Sequence, residues 1–237
     1  MARRIACDPK IPCFDLLRSG RGHPIDRGTS SRQAKQRRII RGNPLDIIEY
    51  PHPTLRHKSK SLRRVDADLR STVSEMFSLM YAAKGIGLAA NQVDLPYRMF
   101  VINLGPDRGE DDELVFINPI LSRPKAPIEE EEEGCLSVPG VYAPVRRPSL
   151  IHVDAFNLEG EEICGEFQGL LARVIQHETD HLDGVMFIDR LSDTAEMAVR
   201  DEIAEFHRRF EQKRGTGEMP SDDAITERLK QIESVYC

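Results

Sequence analysis

The chain has 237 residues, a hydrophobic content of 40% and a formal net charge of −6. This length suits one domain with extensions, and the composition is sufficient for a core. No run of about 18 apolar residues occurs, so the sequence predicts no transmembrane span. The five cysteines lack the spacing of a disulfide framework, which favours a reducing compartment.

Residues 1–43 form a basic leader with eleven Lys or Arg and three acidic residues. The leader lacks the apolar stretch of a secretory signal. Its composition fits a solvated tail, an organellar transit peptide, a basic arm that meets ribosomal RNA, or a start codon placed too far upstream. We expect a cytoplasmic protein, or a plastid or mitochondrial one if the leader is a transit peptide.

Periodicity predicts the elements after the leader. Apolar residues at helical spacing predict a helix over 68–84 that Gly85 stops. Its inward positions are Leu69, Val73, Met76, Phe77 and Met80. Residues 99–104 and 114–118 have the pattern of buried strands, and the acidic run 129–133 that of a solvated edge.

A later strand alternates Ile151, Val153 and Ala155 with His152 and Asp154, a pattern that predicts one face in water. Another strand near 161–167 contains Cys164, for which the sequence suggests no special role. The helix 169–182 then has a broad apolar stripe and is expected to be central. Strands around one buried helix predict an α+β domain with antiparallel or mixed sheets.

The predicted central helix carries the pattern HExxH at residues 177–181. His177 and His181 are about one turn apart, so both imidazoles can bind one metal ion from the same face. Glu178 between them can exchange a proton, as in metal-assisted hydrolysis.

A catalytic site of this kind needs a third protein ligand and an open position for water. The metzincin pattern is excluded because Phe187 stands where its third histidine would be. The residues leave two candidates: a carboxylate of Glu202 or Glu205 on a later helix, or the thiolate of Cys135, which lies between Gly134 and a Pro-Gly turn.

The chain ends in two predicted amphipathic helices, over 195–214 and about 222–235, separated by glycine and proline. Met197, Ile203 and Phe206 are the expected inward positions of the first. Surface packing is the simpler interpretation of both helices, and a ribosome contact is the alternative.

Three segments together resemble the motifs of the peptide deformylase family: Gly-Ile-Gly-Leu-Ala-Ala-Asn-Gln-Val at 85–93, Gly-Cys-Leu-Ser at 134–137 and His-Glu-Thr-Asp-His at 177–181. The resemblance runs from about residue 44 to 192. The surroundings of Tyr142 and Arg173 are similar to the branch that includes plant organellar enzymes. We therefore divide the chain into a leader (1–43), a catalytic domain (44–192) and a C-terminal helical extension (193–237).

The resemblance implies one divalent ion bound by Cys135, His177 and His181, physiologically Fe²⁺, with Zn²⁺, Ni²⁺ or Co²⁺ as substitutes. A thiolate with two imidazoles suits such ions. Hydroxide formed on the metal would attack the formyl carbon of a nascent chain that begins with formylmethionine. Glu178 would act as general base and then general acid.

The family resemblance also assigns substrate contacts. The side chain of Gln92 and the amide of Leu136 would stabilise the oxyanion. Ile86, Gly87 and Gly134 would line the peptide backbone like an added strand. An apolar pocket for the methionine would be built from Tyr142, Leu170 and Val174. Asn91, where many relatives have proline or threonine, and Glu133, a carboxylate outside the ligand set, are expected to take no direct part in the chemistry.

Two other functions are compatible with the residues. A metallopeptidase using Glu202 or Glu205 as ligand would keep its metal without Cys135. A metal-stabilised module that binds nascent chains or ribosomes, through the leader or the C-terminal helix, would not need Glu178. We expect a monomer with no membrane contact.

Overall fold

The computed structural model describes residues 44–105 and 112–237, with the side chains of 125 and 126 left aside. The predicted leader therefore lies outside the described residues. The strands are β1 (Gly87–Ala89), β2 (Met99–Ile102), β3 (Leu114–Cys135), β4 (Val138–Phe156) and β5 (Glu162–Gln168). The α-helices are α1 (Ala67–Ala82), α2 (Gly169–Leu182), α3 (Asp193–Gly215) and α4 (Asp222–Tyr236). Short 3-10 helices cover Pro53–Arg56, Ala90–Val93 and Phe187–Arg190.

The strands form one antiparallel sheet in chain order, β1-β2-β3-β4-β5, which confirms the α+β fold class. β3 and β4 pair along almost their whole length and make a long hairpin. The predicted strand 114–118 is thus only the start of β3, which continues through the acidic run. Glu129 to Glu132 are exposed as expected, but Glu133 is buried.

Helix α2 packs across one face of this sheet, as the apolar stripe predicted. Val174 and Ile175 lie in a core cluster with the buried residues Phe100, Phe116 and Val153. The sheet therefore fixes both the position and the rotation of the helix that carries HExxH.

Helix α1 buries all five predicted inward residues. Asp66 caps its first turn by accepting a hydrogen bond from the amide of Leu69 at 2.9 Å. The helix ends at Ala82, before the predicted stop, because Lys84 takes up a left-handed backbone with φ of 58°.

One strand prediction was wrong. Ile151, Val153 and Ala155 are buried on β4, but His152 and Asp154 on its other face are buried as well, with 4% and 6% exposure. This face is therefore not in water, although its residues are polar.

Both C-terminal helices contribute buried side chains to the core clusters, so they are more than the surface elements that the sequence favoured. Phe206 of α3 joins the core cluster that contains Phe187, and Ile232 and Tyr236 of α4 pack in the cluster around α1. Met197, predicted to face inward, is 65% exposed, whereas Ile203 is half-buried. No helix in the described ranges is both long and apolar enough to cross a membrane.

Phe206→Ala should lower the free energy of unfolding by about 3–5 kcal/mol, because it removes a buried aromatic ring. The control Met197→Ala, on the exposed side of the same helix, should change it by no more than about 0.5 kcal/mol. Denaturant unfolding of both variants measures the difference. Equal effects would show that α3 does not dock through Phe206.

Candidate active site

The end of β3 and the C-terminal half of α2 bring three metal-binding side chains together. The donor atoms of Cys135, His177 and His181 all lie within 4.8 Å of one another. Cys135 Sγ lies 3.2 Å from Nε2 of His181, close to the edge of about 3.6 Å between sulfur and nitrogen in a tetrahedral zinc site. Cys135 is not in a disulfide. The donor set and its spacing therefore fit a divalent ion.

The alternative third ligands do not reach this site. Glu202 and Glu205 are exposed on α3, and Glu205 forms an ion pair with Arg208 one turn along. No metal-binding group found among the described residues includes either of them. Of the candidates for the third ligand, only Cys135 therefore lies beside the two histidines.

Glu133 orients one of the histidines. Its Oε2 lies 3.0 Å from Nδ1 of His177, which leaves Nε2 of that imidazole free to bind a metal ion. Phe187 stacks on the same imidazole with ring centroids 6.2 Å apart. A carboxylate and an aromatic ring therefore hold His177 in one orientation.

Two buried arginines surround Glu133. Arg147 donates to both of its carboxylate oxygens at 2.6 and 2.8 Å, and Arg173 donates to Oε1 at 2.7 Å. Burial alone would raise the pKa of Glu133, but the hydrogen bonds from Arg147 and His177 outweigh it and hold the pKa well below its usual range. The sequence suggested Glu133 but gave no sign of Arg147, which lies on the partner strand β4.

The histidines respond differently to this environment. Burial lowers the pKa of His177, but the hydrogen bonds to Cys135 and Glu133 outweigh burial and raise it to about 10. Burial also lowers the pKa of His181, and there it prevails, so that pKa falls well below its usual value. Metal binding requires neutral imidazoles, so an ion must displace a proton from His177.

Glu178 lies beside the ligands and is buried. It is 4% exposed, and its Oε2 makes no hydrogen bond to any residue that the structure describes. Burial raises its pKa to about 7. Gly87 permits this placement, because a Cβ there would stand 2.9 Å from Cδ of Glu178.

Gln92 is held with its amide nitrogen towards the metal ligands. The backbone N–H of Ala89 donates to Oε1 at 2.8 Å, so Oε1 is the acceptor and Nε2 the donor. Nε2 lies 3.4 Å from Cys135 Sγ and 3.2 Å from Ser137 Oγ. A short 3-10 turn thus fixes an uncharged donor at the edge of the site.

Asn91 was expected to take no direct part in the chemistry, and its side chain contacts helix α2, which carries the two histidines. Its Nδ2 donates a short hydrogen bond to the backbone carbonyl of His181. The side chain is fully buried. Asn91 therefore links the first motif to the last turn of α2, a contact that spacing along the chain could not reveal.

All the predicted substrate-contact residues line one cavity of about 490 Å³ beside the ligands. Of these residues, Tyr142 and Leu170 are 62% and 54% exposed, whereas Val174 is buried. The lining residues that the sequence predicted are Ile86, Gly87, Gln92, Gly134, Leu136, Tyr142, Leu170 and Val174. Arg173 and Glu132, which the sequence did not predict as lining residues, add polar groups to the cavity.

Comparison with known proteins agrees with this geometry. The family model described as polypeptide deformylase matches residues 44–197. A peptide deformylase of Rhodopirellula baltica is 46% identical over 193 residues, which are 81% of this chain and 96% of the relative. Peptide deformylase 1B of Arabidopsis thaliana, chloroplastic/mitochondrial, is 39% identical and covers 81% of this chain and 69% of its own.

Solved structures give the same picture. A plant peptide deformylase PDF1B superposes with a TM-score of 0.70 and 39% identity, covering 76% of this chain and 96% of that one. A Plasmodium falciparum peptide deformylase gives a TM-score of 0.69 at 36% identity, with coverage of 70% and 98%. The predicted similarity to plant organellar enzymes is confirmed.

Arg147→Met should lower the free energy of unfolding by about 3 kcal/mol, the low end for breaking a buried ion pair, because Arg173 and Arg190 still partly compensate the carboxylates. Arg147 also donates to Asp180 at 2.7 Å. Arg190→Met is the matched control, since Arg190 pairs with the same Asp180 but is 42% exposed. We expect it to cost no more than about 1 kcal/mol. Chemical denaturation measures both, and a cost for Arg190→Met equal to that for Arg147→Met would contradict the assignment.

Proposed function

This chain belongs to the polypeptide deformylase family, and we propose that the cavity beside Cys135, His177 and His181 is its active site. The enzyme is a metal-dependent hydrolase that removes the formyl group from the N-terminus of newly made polypeptides. The observation that carries the site assignment is the convergence of three donor atoms within 4.8 Å, next to a buried carboxylate.

Cys135, His177 and His181 would hold the ion, and we propose Fe²⁺ as the physiological metal, with Zn²⁺, Ni²⁺ or Co²⁺ as substitutes. When bound, a dication supplies Lewis acidity, which makes water acidic enough to give a nucleophile near neutral pH. The mixed set of one thiolate and two imidazoles suits these ions. Glu133 keeps His177 in the orientation that binding requires.

Glu178 handles the proton in this proposal. Its carboxylate accepts a proton from the attacking water and returns it to the amide nitrogen as the carbon–nitrogen bond breaks. The water oxygen ends in formate, and the peptide leaves with a free amino terminus. The buried setting of Glu178, without a competing hydrogen bond from a described residue, leaves the carboxylate available for this transfer.

Gln92 and Leu136 stabilise the negative charge that develops on the formyl oxygen. Nε2 of Gln92 is aimed at the site because Ala89 holds the other end of the amide. Leu136 follows the ligand Cys135 directly and lines the same cavity, so its backbone N–H is the second proposed donor. Fixed donors of this kind need no reorganisation during the reaction.

The edge strand β1 favours binding of an extended peptide. β1 pairs with β2 on one side only, and its Gly87 lines the cavity. A nascent chain can therefore add alongside it through main-chain hydrogen bonds, with Ile86 and Gly134 beside it. Tyr142, Leu170 and Val174 would receive the methionine side chain.

The remaining assignments are also proposals. We retain a catalytic domain over 44–192 with α3 and α4 as an extension, a monomer, and a ribosome contact through the leader or the C-terminal helix. Cytoplasm is the proposed compartment, with a plastid or mitochondrion as the alternative because chloroplastic relatives are similar to this chain.

Formate release from formyl-Met-Ala-Ser, measured with metal content on anaerobically purified protein, tests the proposal. Glu178→Ala should keep the metal and lose about 10²–10⁴ in turnover. Cys135→Ala should lose the ion of this site and the activity, whereas the control Glu205→Ala should keep both. A metal-loaded parent that releases no formate, or a Glu205→Ala variant that loses its metal, would overturn the assignment.

Gln92→Leu should lower kcat by about 10²–10³ and leave KM little changed, because the amide donor acts mainly on developing charge. The exposed residue Gln231 provides the control, and Gln231→Leu should match the parent. The measurement is steady-state formate release at equal metal occupancy. Parental kcat in metal-loaded Gln92→Leu would remove Gln92 from the mechanism.

A further inference from the structure

A second cluster of metal-binding side chains lies on the other face of the sheet. His152 and Asp154 point away from the face of β4 that α2 covers, since Ile151, Val153 and Ala155 between and beside them pack towards α2. Cys164 on β5 stands directly opposite Asp154 in the strand register. The donor atoms of His152, Asp154 and Cys164 lie within 4.8 Å of one another.

The burial of this cluster is costly as it stands. His152 and Asp154 are 4% and 6% exposed. Oδ1 of Asp154 lies 3.4 Å from Nε2 of His152 but makes no hydrogen bond to any described residue. A buried carboxylate oxygen that loses its hydration without gaining a hydrogen bond carries a free-energy cost. A cation between these atoms would remove that penalty.

The distances match a metal site. Tetrahedral zinc with usual bond lengths separates a nitrogen and an oxygen ligand by about 3.4 Å, and a nitrogen and a thiolate sulfur by about 3.6 Å. The observed separations are 3.4 Å for His152 Nε2 to Asp154 Oδ1 and 3.8 Å for His152 Nε2 to Cys164 Sγ. One ion can therefore contact all three atoms after small shifts.

We propose that His152, Asp154 and Cys164 form a second metal site, separate from the catalytic one, that takes a divalent ion with affinity for thiolate, Zn²⁺ first. The thiolate, imidazole and carboxylate are all usual zinc ligands. Glu166 faces His152 in the strand register and is exposed, so it lies on the same face of the two strands as the three proposed ligands.

The site is weaker than the catalytic one. His177 gains orientation from Glu133, whereas Nδ1 of His152 makes no hydrogen bond within the described part of the chain. Loss of such an outer partner typically costs 10- to 100-fold in affinity, so the second ion binds about that much more weakly. The ion would join β4 to β5, the strand at the open edge of the sheet.

The test counts bound ions in chelator-stripped full-length protein titrated with Co²⁺ and, separately, Zn²⁺. Equilibrium dialysis gives the stoichiometry, and thiolate-to-cobalt charge-transfer absorption reports each Cys ligand. We expect two ions per chain in the parent and one in each of Cys164→Ser, Asp154→Asn and Cys135→Ser. Cys237→Ser, the matched thiol control, should keep two.

Activity separates this inference from the catalytic proposal. Cys164→Ser loaded at its remaining site should release formate at the parental rate, and Zn²⁺ in excess of one equivalent should raise the Tm of the parent but not of Cys164→Ser. One ion per chain in the parent overturns the second site. A second ion that Cys164→Ser and Asp154→Asn both retain overturns it too, whatever the rate of formate release.

Discussion

The structure depends on one buried carboxylate, that of Glu133. It accepts hydrogen bonds from Arg147 on β4, from Arg173 on α2 and from His177 of the proposed metal site. The carboxylate of Glu133 therefore connects two strands with the central helix and with one of the proposed metal ligands. Such a network is stable only when every partner is present, because each missing partner leaves a charge buried in a poorly polarisable interior.

This dependence explains the order of residues around the site. Cys135 follows Glu133 by two positions on the same strand, so the network that fixes the carboxylate also fixes the thiolate. The strand register shifts between Gly134 and Cys135, an irregularity of the kind that bends a strand next to a site. The geometry of the hairpin thus sets the position of the thiolate, and a change in one changes the other.

Much of this arrangement could be predicted from the sequence, and the reasons for the rest are physical. The apolar period of α2 predicted the helix. The spacing of the two histidines in HExxH, about one turn, predicted that both lie on the same face. Arg147 and Asn91 could not be predicted, since their partners lie on other elements and no local period marks such pairs. The prediction that His152 and Asp154 face water was wrong, because alternation shows which face of a strand is polar but not whether other residues cover that face.

The distance along the chain between the metal ligands also bears on how the protein is made. Cys135 and His181 are 46 residues apart, and strands β4 and β5 lie between them. During synthesis Cys135 is made first, and its two partner histidines are in place only after α2 has been translated and docked. An ion held by these residues would close a large loop, which would couple the docking of α2 to metal binding. A newly made copy of this enzyme would therefore stay inactive until its chain has been made beyond His181.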